Sequence, residues 1–248
     1  MTPVAHTTPR RRVLLTRSEE DNAEWATTLA ERGTEPVALP CIHCEPIDTP
    51  ALRAGLTTAT ADADWLTFTS RRGVEAFAVL HPAPLPRTRV AVVGAATAAA
   101  AREVLGHVDL VGRDGTAASL GTTLARDGDL SYKRRVLLAL AENAGDALER
   151  MLTAAGARCT RFDVYRTIPA PPAATKRAMS SLGADNVIFA SPTAVKGFVQ
   201  QVALDAPIKV YTIGPSTSAA ARAAGLTVTA EAREPSLEGI LESMQWQR

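Results

Sequence analysis

The chain has 248 residues, enough for two domains of about 120, and its 46% hydrophobic and 21% charged residues are those of an ordinary water-soluble protein. A net charge of +1 argues neither for a bulk electrostatic footprint for nucleic acid nor against an anionic small molecule held by local groups, and no apolar run approaches the roughly 20 residues of a membrane span. Three cysteines, and a start (MTPVAHTTPRRR) without an apolar leader, predict a reducing, cytoplasmic setting and a disordered tail over residues 1–11.

In chain order, Val13–Thr16 reads as a short buried strand, and Ser18 with Glu19, Glu20 and Asp21 opens a helix that Gly33 stops. Glu35–Leu39 is a second strand, followed by an extended, proline-bounded stretch, Pro40–Pro46, suited to an edge. Within it Cys41 and Cys44 flank Ile42-His43 at metal-pair spacing, but no second pair exists and Glu45-Pro46 replaces the helix start of a redox motif, so no metal is expected. A helix from Thr49, the strand WLTF ending at Thr69-Ser70, and a helix carrying Val74, Phe77 and Val79 come next. Arg89–Val93 is a strand, Gly94–Thr97 a tight turn, Ala98–Leu105 a helix, Val108–Val111 a strand and Ser119–Arg126 a helix. The order then repeats: strand 135–140, helix to Ala155, strand 158–167, strand 186–190, helix, strand 208–212, helix, strand 226–229 and helix 236–246. Strand–helix alternation with continuously apolar strands predicts an α/β fold of doubly wound parallel sheets.

The second half of the chain copies the first. Asp64, Phe68, Ser70, Val74 and Phe77 return as Asp185, Phe189, Ser191, Val195 and Phe198, and VLL at 13–15 returns at 136–138. VAVVGAATAAAAR at 90–102 returns as VYTIGPSTSAAAR at 210–222, and the offset only shrinks along the chain, as loop deletions in a second copy would make it. Both copies hold an extended, proline-flanked segment at the same place. The expectation is therefore a chain that crosses twice between two flavodoxin-like lobes of five strands each. One lobe takes 12–40 with 170–248, the other 46–163, and 41–45 and 164–169 connect them.

Ligands of open parallel sheets bind beyond the carboxyl ends of the strands, where helix N-termini point. The residues placed there include Arg17, Ser70, Arg71, Gly94, Thr97, Ser191, Thr193, Gly214, Ser216 and Thr217, all small, hydroxylic, glycine or arginine. Unpaired amides and hydroxyls at helix starts, with a guanidinium fork, make sites for phosphate or carboxylate. Capping alone accounts for any one of Ser70, Ser191, Thr97 or Ser216, but their recurrence in both copies favours binding. Dinucleotide, P-loop and zinc-protease fingerprints are missing. The histidines read as structural, and no paired carboxylates stand at strand ends. Tyr165, in the second connector, can donate a proton or a hydrogen bond, although a phenol of reference pKa about 10 is a weak acid, and packing across a hinge would explain it equally.

Five stretches together resemble the uroporphyrinogen-III synthase family: D-x-x-x-F-T-S-x-x-G-V at 64–74, V-V-G-x-x-T at 92–97, D-V-Y-R-T at 163–167, F-A-S-P-x-A-V at 189–195 and I-G-P-S-T at 213–217. The resemblance spans the chain after residue 11 and implies two α/β lobes joined by a two-stranded connector, with a substrate cleft between them. It implies cofactor-free dehydration and cyclisation of the linear tetrapyrrole hydroxymethylbilane, with inversion of ring D, by a monomer that has transient contact with the upstream deaminase. That substrate carries eight carboxylates, which amides, hydroxyls and a few arginines would hold. Tyr165 then matches the family tyrosine proposed to assist loss of the substrate hydroxyl. Thr217 matches the threonine of its G-P-x-T turn, and Ser70 and Ser191 its paired serines. Asn143 falls where relatives often have glycine and a basic residue, so AENAGDA departs from the pattern at a binding position. A non-catalytic sensor of the same fold and a flavin- or nucleotide-binding protein are the other classes that the residues leave open.

Overall fold

The computed structural model describes residues 11–83, 85, 87–130 and 133–244. Residues 1–10 of the expected tail and 245–246 of the expected last helix lie outside them. The inner strands are short, largely apolar runs buried on both faces, the pattern that parallel sheets covered on both sides require, while the outer strands carry Glu, Arg and Thr and are half-buried or exposed. Chain order is β1 (Arg12–Leu15), α1 (Glu19–Glu31), β2 (Glu35–Ala38), β3 (Ile42–Pro46), α2 (Pro50–Asp62), β4 (Trp65–Phe68), α3 (Arg71–Leu80), β5 (Arg89–Val92), α4 (Ala95–Leu105), β6 (Leu110–Val111) and α5 (Ala117–Asp127). It continues with β7 (Arg135–Ala141), α6 (Ala147–Ala154), β8 (Arg158–Pro169), β9 (Arg177–Ala178), a 3-10 turn (Met179–Leu182), β10 (Asn186–Phe189), α7 (Pro192–Gln201), β11 (Val202–Ala203), β12 (Lys209–Thr212), α8 (Pro215–Ala223), β13 (Val228–Glu231) and α9 (Leu237–Ser243).

Helix starts follow capping chemistry. Ser18, Thr49, Ser70, Thr116, Ser191 and Ser236 each accept a backbone N–H of the first turn on the side-chain oxygen. Helix α4 begins three residues earlier than the sequence predicts, because Gly94 is itself the N-cap and Ala95-Ala96-Thr97 contains no breaker.

The chain divides into two compact units, Met1–His43 with Ile168–Arg248, and Cys44–Thr167. The first holds the sheet β13-β12-β10-β1-β2, every pair parallel. Numbered within the unit, that is the 2-1-3-4-5 order of a doubly wound sheet. The second holds β3-β8-β7-β4-β5-β6, parallel from β8 to β6. Counting β7 and β8 as its first two strands gives the same order, with β3 added at the edge. Each unit thus has five parallel strands in one order; β3, from the expected connector segment, adds a sixth strand to the second sheet, and β9 with β11 forms a separate two-stranded pair. Phe189 meets Phe198 edge-on at 5.2 Å in the first unit, and Phe68 meets Phe77 at 5.5 Å in the second. The same strand–helix contact thus stands in the core of each.

Candidate functional site

In the Cys44–Thr167 unit the carboxyl ends of β4, β5 and β7 carry the loops that start α3 and α4 and the turn before α6. Ser70 has extended backbone (φ −160, ψ 154), and its hydroxyl accepts the Gly73 N–H at 3.0 Å, which begins α3. The same oxygen lies 3.0 Å from the Tyr165 hydroxyl, 95 residues away. A bulge delivers the phenol: β8 pairs Leu140 with Asp163 but Ala141 with Tyr165, skipping Val164, and such bulges re-aim side chains at strand ends. The half-buried Tyr165 ring packs against the core that holds Phe68, Val74 and Phe77, so its position is held by packing as well as by the hydroxyl contact.

Gly94 caps α4 without a side chain, and Gly115 approaches so closely that a β-carbon on Gly94 would stand 3.3 Å from the Gly115 Cα. Thr97 is not a cap. It sits inside the first turn of α4 and is buried. Arg71 is exposed and pairs with Glu75 at 3.5 Å, a surface i,i+4 pair of small energetic weight. Asn143 is exposed in the turn after β7. That turn is pinned by Arg161, whose guanidinium meets Asp163 at 2.8 Å and donates to the carbonyls of Ala141 and Glu142 at 3.2 and 3.4 Å. A cation therefore stands beside the turn where 143–146 offers none.

In the other unit, Ser191 caps α7 by accepting the Ala194 N–H at 3.1 Å, with Thr193 half-buried in the first turn. Gly214 caps α8, which begins with Pro215; Ser216 is exposed inside the first turn and Thr217 is buried. Ser216, like Thr97, is thus not a cap, since glycine occupies the cap in both places. Arg17 is committed to α1: it pairs with Asp21 at 3.4 Å and lies 4.5 Å over the Trp25 ring. The two features that sequence reasoning missed are the Ser70–Tyr165 contact and a carboxylate, Glu231, at the end of β13, which runs two residues beyond the expected strand. The Ser218 hydroxyl donates to Glu231. Comparing the copies holds a signal for it: Thr212 and Ser218 stand where the first copy has Val92 and Ala98.

The cysteine pair has no shared chemistry in the structure. Cys41 donates its thiol to the Leu39 carbonyl at 3.1 Å, and burial pushes that thiol up to about 12, with Arg177 opposing weakly. Cys44 lies 3.4 Å from Thr167. Among the described residues no group of three or more His, Cys, Asp or Glu is arranged to hold a metal, and no helix is long and apolar enough to cross a membrane.

The decisive comparison is with protein families: a model described as uroporphyrinogen-III synthase HemD matches residues 23–242. The chain belongs to the uroporphyrinogen-III synthase family. The chloroplastic uroporphyrinogen-III synthase of Oryza sativa subsp. japonica is 28% identical over 240 residues, covering 94% of this chain and 79% of its own length. Among solved structures, uroporphyrinogen-III synthetase from Helicobacter pylori 26695 superposes with a TM-score of 0.57 at 16% identity, over 95% of this chain and 98% of its own. A mutant uroporphyrinogen III synthase from the extreme thermophile Thermus thermophilus gives 0.51 at 20%, over 95% and 97%. At those identities the structures establish a shared α/β fold.

Proposed function

We propose that this chain catalyses the reaction of its family, closing hydroxymethylbilane with loss of water and inversion of ring D to give uroporphyrinogen III in heme biosynthesis. The observation that carries the site is the 3.0 Å contact between Tyr165 and Ser70 at the mouth of α3. Ser70 accepts the Gly73 amide and shares a hydrogen bond with the Tyr165 hydroxyl in which either oxygen can donate, and substrate binding redirects the Tyr165 O–H to substrate. The phenol then donates to the hydroxyl that departs as the pyrrole nitrogen pushes electrons toward the breaking C–O bond. The proton returns when the carbon that closes the ring gives up its own, so the net loss is water. Because this leaving group departs readily, holding the chain in the inverting geometry and excluding water are the larger tasks.

The starts of α3, α4, α7 and α8 hold substrate carboxylates in this reading, through open backbone amides with Ser70, Gly94, Thr97, Ser191, Thr193, Gly214, Ser216 and Thr217. Arg17, Arg71 and Asn143 are the outer contacts, and each arginine must exchange its own acidic partner for a substrate carboxylate. Two lobes made by internal duplication, crossed twice by the chain, account for two sheets of one strand order, since β7 and β8 of the second copy pair with β4–β6 of the first. Three free cysteines support a reducing compartment.

The test supplies hydroxymethylbilane from its upstream deaminase, adds this protein, oxidises the product and separates porphyrin isomers. Uncatalysed closure gives isomer I. Isomer III in proportion to added protein is the expected result, and isomer I alone from folded protein would overturn the reading.

A further inference from the structure

The two units differ at one equivalent place beside their strand ends. In the Cys44–Thr167 unit, Val92 at the end of β5 faces Val111 of β6 in register, and Ala98 of α4 is buried. In the other unit the same register pairs Thr212 at the end of β12 with Glu231 of β13, and Ser218 takes the place of Ala98. Thr212 and Ser218 are both fully buried, and Glu231 is half-buried. The three form one chain of hydrogen bonds: Ser218 donates to the Glu231 carboxylate, which leaves the Thr212 hydroxyl to donate to Ser218 Oγ at 2.6 Å. Burying hydroxyls and a carboxylate costs free energy that the Val–Ala–Val version of the same fold does not incur. The polar set therefore calls for a purpose other than stability.

Its geometry supplies one. Ser218 lies one residue past Thr217, in the turn that begins α8, and its amide bonds the Gly214 carbonyl at 3.0 Å while the Thr217 amide bonds it at 3.1 Å. A rigid acceptor on β13 that holds Ser218 therefore fixes the whole Gly214–Thr217 turn against the sheet. Pro215 has no N–H, so the Ser216 amide is the first donor of the helix. We propose that Glu231 is a positioning residue for the reaction: through Ser218 and Thr212 it locks the start of α8 in the orientation that meets a substrate carboxylate. This rests on the synthase reading and adds to it a residue outside the motifs that carry the family resemblance.

The experiment measures kcat, KM and the isomer III to isomer I ratio for wild type, Glu231→Ala, Glu231→Gln and the triple variant Thr212→Val/Ser218→Ala/Glu231→Val, which imports the apolar set of the other unit. Isomer III from the wild type establishes the underlying activity first; its absence refutes the synthase reading and not the network. Given that activity, Glu231→Ala lowers kcat/KM on the order of tenfold and raises the share of isomer I, since small misplacements of binding groups have effects of this size. Glu231→Gln, which still accepts from Ser218, recovers most of that loss. The triple variant unfolds no earlier than the wild type yet shows the same kinetic defect as Glu231→Ala. Wild-type turnover and isomer ratio in a folded triple variant would overturn the inference, as would a Gln variant no better than Ala.

Discussion

The Ser70 hydroxyl carries two contacts at once, the Gly73 amide that starts α3 and the Tyr165 phenol. The two substitutions that touch this pair should therefore separate. Tyr165→Phe keeps the ring packed against the Phe68 cluster and leaves the cap intact, so stability is nearly unchanged while kcat falls on the order of a hundredfold, the low end for lost proton transfer. Ser70→Ala removes the cap as well, at about 1 kcal/mol, and also lowers the rate. Thermal unfolding measured beside isomer III formation distinguishes them; a Tyr165→Phe enzyme with full activity would remove the phenol from the chemistry. Tyr165 is legible in the sequence as a tyrosine in a proline-flanked connector near the strand ends. Its partner is not, because the contact depends on a bulge at Val164, and apolar–polar alternation does not announce a bulge. Thr97 and Ser216 mislead for a related reason: they are cap-type residues, but in each turn a glycine already occupies the cap.

At the level of whole elements, helix α7 packs where the first copy would not allow it. Gly197 corresponds to Ala76, and a β-carbon on Gly197 would stand 1.8 Å from the Cys41 carbonyl oxygen. That carbonyl is fixed backbone, accepting the Ala170 N–H at 2.8 Å, so it cannot yield as a side-chain tip would. Alanine in mid-helix gains about 1 kcal/mol over glycine, but overpacking costs about 1–3 kcal/mol or more, and a backbone clash this short lies at the upper end. Gly197→Ala is thus expected to lower the urea midpoint of its unit by an amount equivalent to about 2 kcal/mol. Gly145→Ala, with nothing within 4 Å of the added carbon, is the control. An unchanged midpoint for Gly197→Ala would show that α7 shifts freely. Most elements were legible because strands buried on both faces are uninterrupted apolar runs and helix starts announce themselves with Ser or Thr. The pair β9–β11 and the turn at Met179–Leu182 were not, since two-residue strands leave no period to read. The edge strand β3 was legible as an extended, proline-bounded stretch, but its pairing with β8 was not, since composition does not name a partner.

For the whole molecule, the decisive fact is that the two units are unequal in sequence. The Cys44–Thr167 unit is continuous, and its two core clusters, around Phe68 and Phe77 and around Leu120 and Leu138, draw every buried member from within it. The other is assembled from both ends of the chain, and β1 from the first end lies in its sheet between β10 and β2. Strand β10, buried at all four residues, would have an open edge without β1. The two fragments should therefore behave differently. A fragment of residues 44–167 keeps the β8-β7-β4-β5-β6 order and, at about 120 residues, is long enough to bury its own core. It is expected to give a native-like circular dichroism spectrum and a cooperative thermal transition. Residues 168–248 alone retain β10, β12 and β13 but lack β1 and β2; unpaired apolar edges of this kind aggregate, and this fragment should neither unfold cooperatively nor stay dispersed. Adding 1–43 in trans should restore a transition to the second fragment and leave the first unaffected. A 44–167 fragment without a cooperative transition would show that the continuous unit depends on the rest of the chain, and that the separate cores do not make separate folding units.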